Sequence, residues 1–372
     1  LYELIDERSA VDASTLEAVP EVIGVVRVRS GGEDVDAIPA GFQRSELVRL
    51  RPVGGVVTEL GTGASLGEGD FLVAEADEYD RSFLSMFPGI AVVLNIEPDH
   101  LECYSGMDDL VNSFLTYINR VPFYGSAIIS ADDKNLARIR TKITRPYATF
   151  GLSVDADYRA LDVRMELGRT TFSVYRRGDL LGEVILRVPG RHNVVNALAA
   201  IATAAELKVP FETAADALRE FTGVERRFEL VGEVNDIVVI DDYAHHPTEI
   251  KATLQTARDH YDRRLIAVFQ PHLFSRTRDF LVDFARTLAQ ADLCILTDIY
   301  PAREQPIEGL TSERIKEVAD ELDIGNFIYV GKKENAVDAL QKVAQPGDLI
   351  ITIGAGSITH IRRMILERLK KG

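Results

Sequence analysis

Cysteine is scarce in this 372-residue sequence. Cys103 and Cys294 stand far apart and outside any Cys-x-x-Cys, which excludes a thiolate metal site and a disulfide framework and suits a reducing cytoplasm. Basic charge is short as well. The 42 Lys and Arg are outnumbered by 58 Asp and Glu, for a formal charge of −16, which argues against sequence-independent binding of DNA or RNA. A local Arg cluster and a metal still leave room for an anionic small molecule. No uninterrupted apolar run nears the roughly 18–20 residues that span a bilayer, so no membrane insertion is expected. Leu1 to Arg8 contain no basic stretch leading into an apolar one, so no signal peptide is expected. With no initiator Met, the natural chain is expected to begin elsewhere. The first 50 residues also lack the G-x-G-x-x-G turn of a complete dinucleotide-binding unit, and show only an expected helix at Asp12–Val19 and an apolar run at 22–26.

The chain is 46% hydrophobic and 27% charged, which rules out wholesale disorder. Its length predicts two or three domains. Phe71–Glu75 and Ile90–Asn95 are continuous apolar runs with polar ends, the pattern of strands buried on both faces of a parallel sheet. Between about Asp157 and Val188 the period changes to strict alternation, predicting an antiparallel insertion of three strands. An Ala-rich helix over Asn193–Leu207 and a second one through Phe221 follow. After Gly223 the alternation starts afresh. Strands are expected at 237–240, 265–269, 293–297, 327–330 and 349–353, with helices at 247–261, 276–290, 312–322, 335–343 and 358–369. The fold class is therefore α/β, multi-domain, with a second doubly wound sheet beginning near residue 224.

Six segments carry polar chemistry at expected strand ends or helix starts. Glu75-Ala76-Asp77-Glu78 and Asn95-Ile96-Glu97-Pro98-Asp99-His100 end two strands read as adjacent, where hard oxygen donors suit Mg²⁺ and phosphate; a solvated acidic loop would look the same. Gly190-Arg191-His192-Asn193 opens the Ala-rich helix. His192 or Asn193 is read either as its N-cap or, with Asn196 one turn on, as a contact to a heterocycle edge. Arg226-Arg227 lies at the junction of the two domains, where a guanidinium can meet a phosphate or simply be solvated. Asp241-Asp242-Tyr243-Ala244-His245-His246-Pro247 is a strand-to-helix loop with Pro in the first turn, and its His pair lacks the partners a zinc site needs. Gln270 to Asp279 supplies cationic forks for a carboxylate or phosphate or is a helix start with i,i+3 charge pairing, and Gly354-Ala355-Gly356-Ser357 reads as an anion nest or a tight turn.

Together with Pro189 to Leu198, Gly223 to Phe228 and Phe269-Gln270-Pro271-His272, these segments resemble the Mur ligases from about residue 51 to the C-terminus. Asp241 to Pro247 and Phe269 to His272 favour the alanine-adding branch. The resemblance implies three parts: 1–50 as a remnant of an N-terminal UDP-sugar domain, 51–223 as a central ATP-binding domain, and 224–372 as a Rossmann-like amino-acid domain. It implies ATP and Mg²⁺ as cofactors, UDP-N-acetylmuramate and L-alanine as substrates, and a cytoplasmic monomer or homodimer. The lactyl carboxylate would be phosphorylated by ATP and the acyl phosphate then attacked by the amine. Carried over by residue, Glu75 and His100 would be catalytic metal ligands and Arg227 the catalytic contact to the γ-phosphate. His192, Asn193, Asn196 and Asp242 would bind ATP, and Tyr243, His245 and Arg276 would face sugar nucleotide and amino acid. Leu273 stands where many relatives carry Arg. Nothing matches the family's Gly-Lys-Thr loop, which belongs between Ser45–Leu50 and Val53-Gly54-Gly55; the expectation is that a mobile loop is left out of this sequence. The rival readings are a ligase that reattaches a recycled tripeptide, and a non-catalytic UDP-sugar binder without the loop.

Overall fold

The computed structural model describes residues 22–27, 71–98, 103–166, 168–302 and 304–371. The described residues form two compact units that divide between Gly223 and Val224. The helix expected at 12–19, the missing-loop position at 45–55 and His100 lie outside the described residues.

In the first unit eight strands form one sheet. They are β1 (Val22–Arg27), β2 (Phe71–Glu75), β3 (Ile90–Val93), β4 (Ser126–Ser130), β5 (Tyr147–Gly151), β6 (Tyr158–Glu166), β7 (Arg169–Arg176) and β8 (Asp179–Leu186), in the order β2-β1-β3-β4-β5-β6-β7-β8. β3 to β6 pair in parallel, and β6 to β8 continue the same sheet as an antiparallel meander. The alternation read from sequence is visible in β7, where Thr170, Phe172 and Val174 are buried and their neighbours are not. Helices α1 (Met107–Asn119) and α2 (Lys134–Ile139) cover one face, with Phe114, Tyr117 and Ile118 set against Phe83, Val93 and Ile129. α3 (Arg191–Glu206) and α4 (Phe211–Glu220) cover the other, where Val194, Leu198 and Ile201 meet Val92, Ile128, Phe150 and Val174. The alanines of α3 let its backbone approach the sheet closely, and each fully buried Leu or Ile there is worth roughly 1.5–3 kcal/mol.

The second unit is built on β9 (Glu229–Val234), β10 (Ile237–Asp242), β11 (Arg264–Phe269), β12 (Leu293–Thr297), β13 (Phe327–Gly331) and β14 (Asp348–Ile353). Their order is β13-β12-β11-β14-β10-β9, parallel except for the edge strand β9. Helices α5 (Pro247–His260), α7 (Leu281–Leu288) and α8 (Glu313–Glu321) pack on one face through Ile250, Leu254, Phe284, Leu288 and Ile315. Helices α9 (Lys333–Val343) and α10 (Arg362–Lys371) pack on the other through Val337, Leu340, Ile365 and Leu369. The chain after β14 thus leaves on the face opposite to the chains after β10 and β11. Reversal points of this kind open ligand crevices at the carboxyl edge of a doubly wound sheet.

Two local expectations are corrected. The single helix read over 276–290 is two, α6 (Phe274–Asp279) and α7, broken where Phe280 leaves helical geometry (φ −113°, ψ 23°) and packs its ring 4.7 Å from that of His246. Strand β9 was not anticipated, because an edge strand with Leu230 61% exposed carries little apolar signal.

Candidate active site

The carboxyl end of β2 delivers Glu75. Its Oε2 is shielded from solvent although the residue is only partly buried. The acidic residues that follow have local work: Asp77 Oδ1 accepts the Tyr79 amide at 2.9 Å and Asp80 Oδ1 the Ser82 amide at 3.0 Å, closing a 3-10 turn. Arg81 fixes that turn by pairing with Asp109, donating Nε to the Cys103 carbonyl at 3.0 Å and lying 4.6 Å over the Tyr104 ring. Asp77 and Asp80 are thereby committed to the turn, while Glu75 ends the strand.

The expectation that β2 and β3 are adjacent is wrong. β1 runs between them, antiparallel to both, so that Ile23 pairs with Glu75 on one side and Val92 on the other. Both carboxyl ends still open on the same edge, now two strand spacings or about 10 Å apart. No local pattern could reveal this, since it depends on a strand distant in sequence. Beyond β3 the Ile96 amide donates to Asp133 Oδ2 at 3.3 Å, and Asn135 Nδ2 donates to the Ile96 carbonyl at 2.8 Å. The start of α2 therefore pins the segment that leads toward His100. Asn95 Oδ1 is buried there without a hydrogen-bond partner among the described residues.

The N-cap reading of His192 or Asn193 is also corrected. Gly190 is the N-cap of α3, at φ 102°, a conformation that suits glycine. His192, Asn193 and Asn196 lie inside the first two turns and are partly buried. Asn193 Nδ2 donates to the Pro189 carbonyl at 2.7 Å, and Asn196 Nδ2 to Asn193 Oδ1 at 3.3 Å. The two amides thus form one hydrogen-bonded set, as one-turn spacing allows.

In the second unit, the carboxyl ends of β10, β11 and β14 converge. The two arginines of the Arg226-Arg227 pair separate in role. Arg226, in a left-handed conformation (φ 62°), donates Nη2 to the Gly354 carbonyl at 2.6 Å and Nε to Asp241 Oδ2 at 3.4 Å. Asp241 is fully buried and also receives Arg362, Thr352 and Thr359, so it serves as a structural hub. Arg227 lies 5.3 Å over the Tyr243 ring, its Nη1 3.7 Å from Glu249 Oε1, and its Nη2 is buried with no hydrogen-bond partner among the described residues. Asp242 accepts the amides of Phe228 and Ala244, each at 2.8 Å. Burial pushes its carboxyl up to about 6, against the pull of Arg227 and those two amides and with help from Glu249.

A ladder of rings runs along this edge. Tyr243 and His245 stand 5.4 Å apart, His245 and His272 5.7 Å, and His272 stacks on Tyr300 at 5.7 Å. Arg276 is buried in α6, which is entered through Leu273 at φ 69°. The Gly354–Ser357 segment offers carbonyls rather than an anion nest: those of Gly354 and Gly356 face Arg226, while the Gly354 amide is spent on the Asp242 carbonyl and the Ile358 amide on Gln270 Oε1. Sequence reading passed over Glu249 and Tyr300. Glu249 had a signal, namely a carboxylate three residues after a helix-start residue, the spacing of a capping box. Among the described residues, no three His, Cys, Asp or Glu side chains converge as a metal site.

The arrangement can bind anions in the second unit and offers oxygen donors at the edge of the first. Residues 62–204 match the Mur ligase middle domain, and residues 226–356 match the Mur ligase glutamate ligase domain. The UDP-N-acetylmuramate–L-alanine ligase of Geotalea uraniireducens is 46% identical over 318 residues, which cover 86% of this chain and 69% of that protein. The enzyme of the same name from Salinibacter ruber is 48% identical over 319 residues, 86% of this chain and 67% of that protein. Among solved structures, the UDP-N-acetylmuramate–alanine ligase of Thermotoga maritima superposes with a TM-score of 0.70 at 28% identity, over 86% of this chain and 68% of that one. A murein peptide ligase from Psychrobacter arcticus gives 0.60 at 26% identity, over 90% of this chain and 70% of that one.

Proposed function

This chain belongs to the Mur ligases, and from that premise we propose that it joins L-alanine to the lactyl carboxylate of UDP-N-acetylmuramate, converting ATP to ADP and phosphate. The observation that carries this reading is identity of 46% to an alanine-adding ligase over 318 residues that include both units. In this reading residues 51–223 bind ATP and 224–372 the amino acid, while 1–50 are the remainder of a sugar-nucleotide domain whose strand β1 is paired into the sheet of the first unit. The protein works in the cytoplasm as a monomer or homodimer. Among the described residues no helix is long and apolar enough to cross a membrane.

A carboxylate is a poor electrophile at neutral pH, so the reaction proceeds in two displacements. A lactyl oxygen attacks the γ-phosphorus as its bond to ADP breaks, and the amine of alanine then attacks the acyl carbon as phosphate leaves with the former lactyl oxygen. Both steps crowd negative charge, which positioned cations offset. Arg227 is suited to this because its Nη2 is unspent among the described residues, and an arginine offers a planar set of donors to phosphoryl oxygens. Asn193 and Asn196 present linked amides for the adenine edge, with His192 beside them. Asp242 and Tyr243 shape the loop that carries His245, and Arg276 supplies a buried positive charge for a carboxylate.

A divalent cation fits the first unit's edge. The donors that the described residues bring there are oxygens, and Asn95 Oδ1 is buried with no hydrogen-bond partner among the described residues, as a hard cation prefers. Glu75 and His100 would hold Mg²⁺, which would neutralise the phosphates of ATP. Glu75 would keep that charge at the strand tip while the 3-10 turn held by Arg81 fixes its approach.

Phosphate release measured with ATP, Mg²⁺ and UDP-N-acetylmuramate against a panel of amino acids tests the reading. Release with L-alanine and not with other acceptors supports it. Release only with a tripeptide acceptor moves the assignment to the recycling ligase. UDP-sugar binding with no release for any acceptor replaces it with a binding protein, the outcome that the absent Gly-Lys-Thr motif would favour.

A further inference from the structure

Glu249 makes more contacts than helix capping requires. It sits at the third position of α5, and a capping box asks only that its carboxylate reach the backbone of His246, which it does at 3.1 Å. The same oxygen, Oε2, also accepts the His245 amide at 2.9 Å and lies 3.3 Å from His245 Nδ1. The other oxygen, Oε1, faces Arg227 Nη1 at 3.7 Å. One carboxylate therefore lies between the imidazole of His245 and the guanidinium of Arg227, both of which pack on the Tyr243 ring.

The length of the Arg227 contact is informative. A bidentate Arg–carboxylate pair has donor–acceptor distances of about 2.7–2.9 Å and would consume the donors that a phosphoryl group needs. At 3.7 Å Glu249 supplies charge balance without closing that fork, and Nη2 stays buried with no hydrogen-bond partner among the described residues. Arg226, the residue before it, is hydrogen-bonded instead to the Gly354 carbonyl at 2.6 Å and to Asp241. Both guanidinium groups lie over the Tyr243 ring, Arg226 at 4.6 Å and Arg227 at 5.3 Å, yet they reach different carboxylates, Asp241 and Glu249.

We propose that Glu249 is the positioning residue of this site, a carboxylate that holds Arg227 and His245 in one array so that the free nitrogen of Arg227 is presented to a transferring phosphoryl group. This rests on the ligase reading given above and adds to it a residue that touches no substrate. The charged and titratable groups around Glu249 are Arg227, His245 and Asp242. Burial works against its charge, yet His245, Arg227 and the amides of His245 and His246 outweigh burial and hold the carboxyl well below its ordinary range. It is therefore ionised at any pH at which the enzyme would work.

The charge and the cap can be separated by substitution. Glu249→Gln keeps the length of the side chain and an oxygen for the His245 and His246 amides but loses the charge. Glu249→Asp keeps the charge but shortens the reach to those amides. With the full-length chain, Glu249→Gln is expected to lower kcat for phosphate release roughly ten- to a hundredfold, the size of effect that misplacing a reacting group produces. KM for ATP and L-alanine should change little and Tm only slightly. Glu249→Asp should lose more Tm yet retain more kcat than Glu249→Gln. The reverse order, with kcat following Tm across the two variants, would reduce Glu249 to a helix cap and overturn the proposal. A second readout needs no turnover: labelling of Arg227 by phenylglyoxal, followed by peptide mass spectrometry, should be faster in Glu249→Gln than in the parent, with Arg226 unchanged. Equal labelling in parent and variant would also overturn it. If the parent protein releases no phosphate with any acceptor, the ligase reading fails, while the labelling result still decides whether Glu249 positions Arg227.

Discussion

Asp242 offers the sharpest quantitative test, because its burial and hydrogen bonds pull in opposite directions. The residue is 5% exposed, and its carboxyl is held at about 6 in the folded protein against an ordinary value of 3.8. A carboxyl whose folded pKa is raised binds its proton more tightly when folded. It therefore leaves stability untouched below about pH 4, weakens folding progressively as pH rises through about 6, and exerts its full effect above that. The interval corresponds to roughly 3 kcal/mol. Asp242→Asn removes the titration while keeping one oxygen for an amide donor, and whatever constant offset it introduces does not vary with pH. The difference in urea-unfolding free energy of the second unit between parent and variant should therefore change by roughly 3 kcal/mol between about pH 4 and pH 7, in the direction that favours the variant at the higher pH. The carbon-13 shift of the Asp242 carboxyl reads the same quantity directly. A difference that is flat over this window, or a carboxyl carbon with its midpoint near 3.8, would refute the argument that desolvation outweighs Arg227 and the two amides.

Other outcomes follow from the same geometry. Glu75→Gln should abolish phosphate release that depends on ATP and L-alanine while leaving the circular dichroism spectrum intact; turnover like that of the parent would remove Glu75 from the metal site. Arg227→Ala should lower kcat by roughly a thousandfold, as expected of an arginine that acts on the transferring group, and weaken binding of an ATP analogue far less. Loss of binding with kcat preserved would assign it to nucleotide affinity instead. Gly356→Ala would place a methyl group 2.6 Å from both Gln270 Oε1 and Tyr300 Cγ. It should destabilise the second unit by about 1–3 kcal/mol through overcrowding, and a Tm equal to that of the parent would show that the loop yields freely.

Much of the secondary structure can be read along the chain because its causes are local. Phe71–Glu75 and Leu293–Thr297 coincide with β2 and β12, and alternate residues are buried along β7 and at Tyr158 and Ala160 of β6 and Val184 and Leu186 of β8. Pro247 announces the first turn of α5. Apolar periodicity and backbone preference act over a few residues, so a single sequence suffices to place elements of this kind and to set the α/β class.

The tertiary structure alone decided which residues meet. Residues 22–27 enter the sheet between β2 and β3, and β14 enters between β11 and β10, through pairings that join segments far apart in the chain. Adjacent residues with the same chemistry were likewise given different tasks. Arg226 and Asp241 are hydrogen-bonded into the frame, whereas Arg227 keeps a buried Nη2 with no hydrogen-bond partner among the described residues and Asp242 accepts two backbone amides while burial raises its carboxyl. Glu249 shows the same limit, since its spacing from His246 foretells a helix start and nothing of its approach to Arg227. Local rules determine what each segment is, while burial and long-range pairing determine which charges face one another and at what cost in solvation.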